Sequence, residues 1–161
     1  MITLIRKNSE SADFKALVNQ LDAELRIRDG EEHSFYAQFN KIDSLREVVV
    51  AYSDEIAVGC GAIKSYSKQT AEVKRMFVKE ENRGKGVAGK ILAELETWAK
   101  ELDFDDCILE TGFKQPEAIA LYAKSGYEVI PNYGQYIGVK GSVCMKKIIR
   151  AAEISTGNKA Q

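Results

Sequence analysis

The stretch Arg83-Gly84-Lys85-Gly86-Val87-Ala88-Gly89 constrains this chain more than any other, because it sets a glycine-rich turn at the mouth of an amphipathic segment. Amide N–H groups in the first turn of a helix have no intrahelical partner, and the aligned peptide dipoles put about half a positive charge there. A pyrophosphate satisfies both the amides and the dipole. Three local structures compete for these residues, and the choice among them decides most of what the chain can be.

Gly84, Gly86 and Gly89 spell G-x-G-x-x-G, the dinucleotide fingerprint. That fingerprint needs a strand running directly into its first glycine and an acidic residue about 20 positions on. Here the charged run Lys79-Glu80-Glu81-Asn82-Arg83 intervenes. Asp103, Asp105 and Asp106 lie at a suitable distance, but too little chain follows to build the second half of a dinucleotide sheet. Gly84 to Lys90 also matches most of G-x-x-x-x-G-K-[ST], with Ile91 standing where a hydroxyl must hold magnesium. Neither nucleotide site follows from the residues present.

The chain has 161 residues and 45% hydrophobic content, enough to bury a proper core, and the expected division is one domain over 1–150 with a small, polar, disordered tail over 151–161. A formal net charge of −1, with basic residues spread along the chain, gives no general attraction for nucleic acid or membrane. No stretch approaches the roughly 18 apolar residues that span a bilayer, and Met1 to Arg6 reads as a first strand without the regions of a signal peptide. The expected location is the cytoplasm. Cys60, Cys107 and Cys144 are far apart among apolar neighbours and read as buried reduced thiols. His33 is the single histidine, which excludes a histidine-rich metal site, and no metal is expected.

Periodicity supplies the elements. After the first strand, Phe14, Leu17, Val18, Leu21 and Leu25 recur at helical spacing, with Asn8, Ser9 and Ser11 as cap candidates and Gly30 as the stop. A second helix is expected from Glu31 to Asn40. Three strand-like runs follow, Glu47 to Tyr52, Ala57 to Tyr66 and Ala71 to Val78, joined by hairpin turns at Ser53-Asp54-Glu55 and Ser67-Lys68-Gln69. From Gly86 to Glu101 a helix places Val87, Ile91, Leu95 and Trp98 on one face. Cys107-Ile108-Leu109 reads as a buried strand ending at Glu110. Pro116 and Gly126 then bracket another helix, and Val129-Ile130 and Ser142 to Ile149 supply the last strands.

The third reading of the glycine-rich stretch is a strand, a charged bend, and the pattern [RQ]-x-x-G-x-[GA] filled by Arg83, Gly86 and Ala88. It resembles motif A of the GNAT acetyltransferase superfamily, where this loop wraps the pyrophosphate of coenzyme A. Gly84 and Gly86 allow backbone geometries that a side chain would block, Gly86 and Ala88 keep the amides uncovered, and Arg83 and Lys85 supply charge. A surface turn with a glycine-rich cap is the alternative for the loop taken alone. The segment Gln115 to Tyr127 resembles the family's motif B, with Gln115 where many members have asparagine, and Glu72 to Val78 resembles the fourth strand. The resemblance covers about residues 1 to 150. It implies the GNAT fold, of α/β (α+β) class: a central mixed, mostly antiparallel sheet of about seven strands flanked by about four helices.

The resemblance also implies a chemistry, with acetyl-CoA as co-substrate and a primary amine as acceptor. An amine with a pKa near 10.4 is protonated at neutral pH, so a proton must be removed before it attacks a thioester. Glu72 matches the general base of histone-type members, with a solvated strand residue paired to Lys74 or Arg75 as the alternative and Glu110 as the second candidate base. Tyr122 matches the family's tyrosine acid, which protonates the departing sulfur; a core tyrosine is its alternative. Main-chain groups of Met76, Phe77 and Val78 match those that pair with the pantetheine arm, and Arg83, Gly84, Lys85, Gly86, Val87, Ala88, Gly89 and Gln115 match the remaining coenzyme contacts.

The acceptor side is expected from the first two helices and the last strands, which offer Arg28, His33, Tyr36, Arg75, Tyr133 and Tyr136. Arginines there suggest an acceptor with a carboxylate. Along a regular strand Arg75 and Glu72 face opposite ways, so Arg75 reaches the acceptor only through a bulge, whereas Arg28 has no such restriction. The expected function is an N-acetyltransferase that moves an acetyl group to a small metabolite or amino acid by direct attack in a ternary complex. A peptide or protein N-acetyltransferase and a non-catalytic acyl-CoA-binding module are the alternatives, and a homodimer stays open. The presence of both Tyr122 and Glu72 favours an enzyme.

Overall fold

Val48, Val49, Val50 and Ala51 are all fully buried, a run too continuous for a sheet with one wet face. The strand that holds them is accordingly covered on both sides. The computed structural model describes residues 1–30 and 45–150. Its strands are β1 (Ile2–Lys7), β2 (Glu47–Ser53), β3 (Ile56–Ser65), β4 (Thr70–Val78), β5 (Asp106–Gly112), β6 (Glu128–Ile130) and β7 (Ser142–Ile148). They form one seven-stranded sheet in the order β1-β2-β3-β4-β5-β7-β6. Neighbours are antiparallel except β4 and β5, which run parallel. The mixed, mostly antiparallel sheet implied by the resemblance is the sheet found.

Three α-helices are present among the described residues: α1 (Ala12–Asp29), α2 (Val87–Glu101) and α3 (Pro116–Lys124). The helix expected over 31–40 and the tail over 151–161 lie outside the described residues. Among the described residues, no helix is long and apolar enough to cross a membrane. Of the cap candidates, Ser11 takes the role, its Oγ accepting from the Phe14 amide at 3.2 Å. α1 packs Phe14, Leu17, Val18 and Leu21 on one face of the sheet, against Val48, Val50, Cys60 and Phe77. On the other face α2 packs Ile91, Leu92 and Leu95 against Val49, Ala51 and Val73, and Tyr122 of α3 joins that cluster. α2 lies so close to β3 that a Cβ on Gly61 would stand 3.0 Å from both Ile91 and Leu95. Cys60, Cys107 and Cys144 are buried free thiols.

Two irregularities shape the middle of this sheet. β4 and β5 pair only at Thr70↔Asp106, Ala71↔Cys107 and Glu72↔Ile108. Beyond Glu72 the two strands part, while β5 stays paired to β7 as far as Gly112↔Ser142. On its other side β4 shifts register against β3, from Ala62↔Lys74 to Cys60↔Phe77, so Arg75 and Met76 together oppose Gly61. Arg75 carries the distortion at φ 59, a left-handed conformation uncommon outside glycine. A bulge and a splay thus occupy the same stretch of one strand.

Candidate active site

The splay opens a cleft through the sheet, walled by β4 from Glu72 to Met76 and by β5 from Leu109 to Gly112. Leu21 and Leu25 of α1 close it on one face, and Gln115, Ala118 and Tyr122 reach it from α3 on the other. Along β4 from Val73 to Val78, the main-chain edge that faces β5 carries no strand pairing among the described residues. Met76, Phe77 and Val78 lie on this unpaired stretch, where the Val78 carbonyl accepts from Arg83, while their side chains pack in the two cores. An extended chain entering the cleft would find the hydrogen-bonding groups of a missing strand.

Glu72 is the last paired residue of β4 and stands at the vertex of the splay. It is buried, and its Oε2 accepts a hydrogen bond of 2.7 Å from the Tyr133 hydroxyl. Lys74 Nζ stands 3.8 Å from the same oxygen. Tyr133 belongs to the loop before a 3-10 turn at Gly134–Tyr136, and Asn132 Nδ2 holds that loop closed by donating to the carbonyls of Tyr136 and Val139. Burial, then the Glu72 charge and the hydrogen bond to it, raise the Tyr133 phenol well above the ordinary tyrosine value. Burial pulls the Lys74 ammonium below its usual range, against the opposing pull of Glu72. The alternative of a solvated Glu72 is excluded by its burial, but the pairing with Lys74 that accompanied it is found.

The bulge turns Arg75 onto the α1 face, where its guanidinium meets Asp22. Arg75 therefore lines the cleft. Arg28 does not: it pairs with Glu117 at 3.6 Å, joining the end of α1 to the start of α3. The bulge that Arg75 needs in order to reach the cleft is thus present, at a single residue with φ 59. Tyr136 is buried and lines the cleft, whereas Tyr133 reaches it through Glu72. His33 and Tyr36 lie outside the described residues.

On the α3 face, Tyr122 is buried with its ring edge-on to Tyr127 at 5.9 Å. Burial, and after it the negative charge of Glu110, keeps its phenol protonated well past the ordinary tyrosine pKa. Gln115 is the N-cap residue of α3, ahead of Pro116 in the first turn. At the mouth of α2, Gly86 is the N-cap at φ 83 and no side chain caps the helix. A Cβ at Gly84, Gly86 or Gly89 would meet nothing within 4 Å, so these glycines leave a clear approach to the first-turn amides. Val87 is buried and Ala88 packs on the core, which leaves their main chain for a ligand. Lys85 is exposed. Arg83 differs from the expectation of a charge offered at the loop. Its Nε donates to the Val78 carbonyl at 2.7 Å, its Nη2 pairs with Glu24 at 2.7 Å, and its guanidinium lies 5.5 Å from the Phe77 ring centre. The side chain braces the loop against α1.

Lys74 lines the cleft, where its place in the sequence marks it only as a partner for Glu72. The signal was present: Glu72, Lys74 and Arg75 place three charges in a central strand whose other residues are mostly apolar, where charge is expensive to bury.

Comparisons with known proteins bear on this geometry. Residues 14–127 match the family model described as Acetyltransferase (GNAT) family. An IAA acetyltransferase of Azospirillum brasilense is 37% identical over 89 residues, 55% of this chain and 58% of that protein. YjgM of Escherichia coli K12, an uncharacterized N-acetyltransferase, is 34% identical over 105 residues, 63% of this chain and 61% of that protein. The chain thus spans about three fifths of the length of these curated relatives. Among solved structures, a Klebsiella pneumoniae protein assigned to the acyl-CoA N-acyltransferases superposes with a TM-score of 0.79 at 30% identity, covering 93% of this chain and 99% of that one. The PaiA N-acetyltransferase of Thermoplasma acidophilum, in complex with coenzyme A, shares the fold at 19% identity with a TM-score of 0.68, covering 92% and 99%.

Proposed function

The chain belongs to the acetyltransferase (GNAT) family, and from that premise we propose that it transfers the acetyl group of acetyl-CoA to a primary amine of a small metabolite or amino acid, by direct attack within a ternary complex. The observation that carries the reading is the splay itself: a half-unpaired β4 edge leads from Glu72 toward the uncapped mouth of α2, with Tyr122 buried beside it. The structural neighbour with coenzyme A bound supports an acyl-CoA co-substrate, and the glycines of the loop fit a pyrophosphate.

Acetyl-CoA would supply an activated acetyl thioester. Amides of Gly84 to Gly89, with Lys85, would hold its pyrophosphate, and main-chain groups of Met76, Phe77 and Val78 that β5 leaves unpaired would hold its extended arm. In this reading Glu72, at the vertex, takes the proton that the incoming ammonium must lose, through water. Tyr122 gives its phenolic proton to the departing sulfur, and its burial keeps that proton in place at neutral pH. An open β4 amide facing the acetyl oxygen would stabilise the charge that develops there.

The deciding experiment is thiol release from acetyl-CoA in the presence of a pooled library of small amines, with products identified by mass spectrometry. A small N-acetylated product is expected. Absence of any thiol release with this library and with a panel of peptide N-termini, while acetyl-CoA still raises the melting temperature, would make the chain a non-catalytic acyl-CoA-binding module.

A further inference from the structure

Consecutive residues of a strand face opposite ways, and the bulge in β4 breaks that rule where it matters most for charge. At φ 59, Arg75 swings to the face that Glu72 and Lys74 share, so two cations stand side by side in the wall of one cleft. Both are nearly dry, Lys74 at 9% and Arg75 at 6% exposure. Two adjacent buried cations are costly unless acceptor oxygens surround them. Lys74 Nζ stands 3.8 Å from Glu72 Oε2 and also feels the charge of Glu110, whereas Arg75 is covered incompletely. Arg75 meets the half-exposed Asp22 through Nη2, while its Nε–H is buried with no hydrogen-bond partner among the described residues. An orphaned guanidinium donor in a cleft wall is a demand for an oxygen.

We propose that Lys74 and Arg75 form a subsite for a carboxylate carried by the acceptor, so that the amine acetylated in this cleft belongs to a free amino acid. The proposal rests on the acetyltransferase reading above and narrows it. A guanidinium and an ammonium brought together suit the two oxygens of a carboxylate, and the Arg75 Nε–H supplies a donor that Asp22 leaves open. Glu72 and Glu110 line the same cleft and attract an ammonium. The cleft therefore presents acidic and basic groups within a few residues of each other, matching the two ends of a zwitterion. A simple amine would satisfy the carboxylates of Glu72 and Glu110 but would leave the Arg75 Nε–H without an acceptor. A peptide N-terminus has an amide where the carboxylate is required.

The test uses the intact chain, acetyl-CoA and two matched acceptor series: α-amino acids and the amines left when their carboxylate is removed, such as tyrosine with tyramine and phenylalanine with phenethylamine. The readout is the ratio of kcat/KM within each pair. The wild type is expected to favour the carboxylated member by about tenfold or more, as for a charged hydrogen bond made to one member only. Lys74→Met and Arg75→Lys, the second keeping a cation for Asp22 while removing Nε, should each reduce that ratio about tenfold, mainly through KM of the amino acid. The acetyl-CoA-induced rise in melting temperature certifies that each variant is folded; if Arg75→Lys fails to fold, the wild-type ratio and Lys74→Met decide. A wild type that treats both members alike, or variants that lose both equally, overturns the carboxylate subsite and leaves the transferase reading intact. If acetyl-CoA binds but no amine in the wider library is acetylated, the transferase reading falls and the subsite falls with it.

Discussion

Tyr122 owes its chemical standing to its surroundings. Burial first, and the Glu110 charge second, disfavour its phenolate, so the proton it would donate is retained across the neutral and mildly alkaline range. Replacing it by phenylalanine should lower kcat about 10²-fold while leaving acetyl-CoA affinity nearly intact. Steady-state kinetics check this, and an unchanged kcat would reduce Tyr122 to a packing partner of Tyr127. The sign of the shift has a corollary: a raised acid pKa moves any alkaline limb due to Tyr122 above the ordinary value of about 10. The base is tested separately. Glu72→Gln should lower kcat/KM about 10²-fold, and Glu110→Gln should leave it nearly unchanged; the reverse would transfer the role to Glu110. Glutamine can still accept the Tyr133 hydrogen bond through its amide oxygen, so the exchange isolates the carboxylate charge.

At the scale of elements, the glycine loop and α2 act as one unit. Acetyl-CoA should raise the melting temperature by binding the native state, and Gly86→Val should abolish most of that rise. A Cβ at Gly86 would meet nothing within 4 Å, so the loss would come from the φ of 83 that valine resists and from covered amides, with no clash in the core. Thermal shift with and without acetyl-CoA reads it, and a full shift in Gly86→Val would remove the loop from the coenzyme site. This unit was legible in the sequence because its cap, its apolar stripe and its glycines are all local signals. So were α3 between Pro116 and Gly126, and the hairpin at Asp54-Glu55, whose φ values of 50 and 69 return the chain at Ile56, one residue earlier than the run expected from Ala57. The bulge was not legible, because an arginine is not a residue that advertises a left-handed backbone, and the face of Arg75 followed from it. The hydrogen bond from Tyr133 to Glu72 bridges 61 positions and depends on tertiary closure that no spacing encodes.

Across the molecule, ion pairs tie α1 to the elements around the cleft: Asp22 to the bulge, Glu24 to the glycine loop and Arg28 to α3. The aromatic groups set a different global property. Tyr52, Tyr122, Tyr127, Tyr133 and Tyr136 all have phenols raised above the ordinary value, burial being the first cause in each. An unfolded tyrosine ionises near pH 10 while these native ones hold their protons, so their contribution to stability is complete below about pH 10 and is lost as pH rises beyond it. The melting temperature should fall steeply above that pH, with most tyrosinate absorbance appearing together with unfolding; tyrosinate formed by these residues in the folded state would contradict the assignment. The parting of β4 from β5 has a kinetic consequence. A strand can be central by position and peripheral by bonding: alternate β4 amides between Val73 and Val78, in the middle of a seven-stranded sheet, should trade their protons for deuterons far faster than those of β2 or β3, at the pace of a frayed end. Acetyl-CoA, by pairing with them, should slow that trade and make the sheet's centre behave isotopically as a centre for the first time.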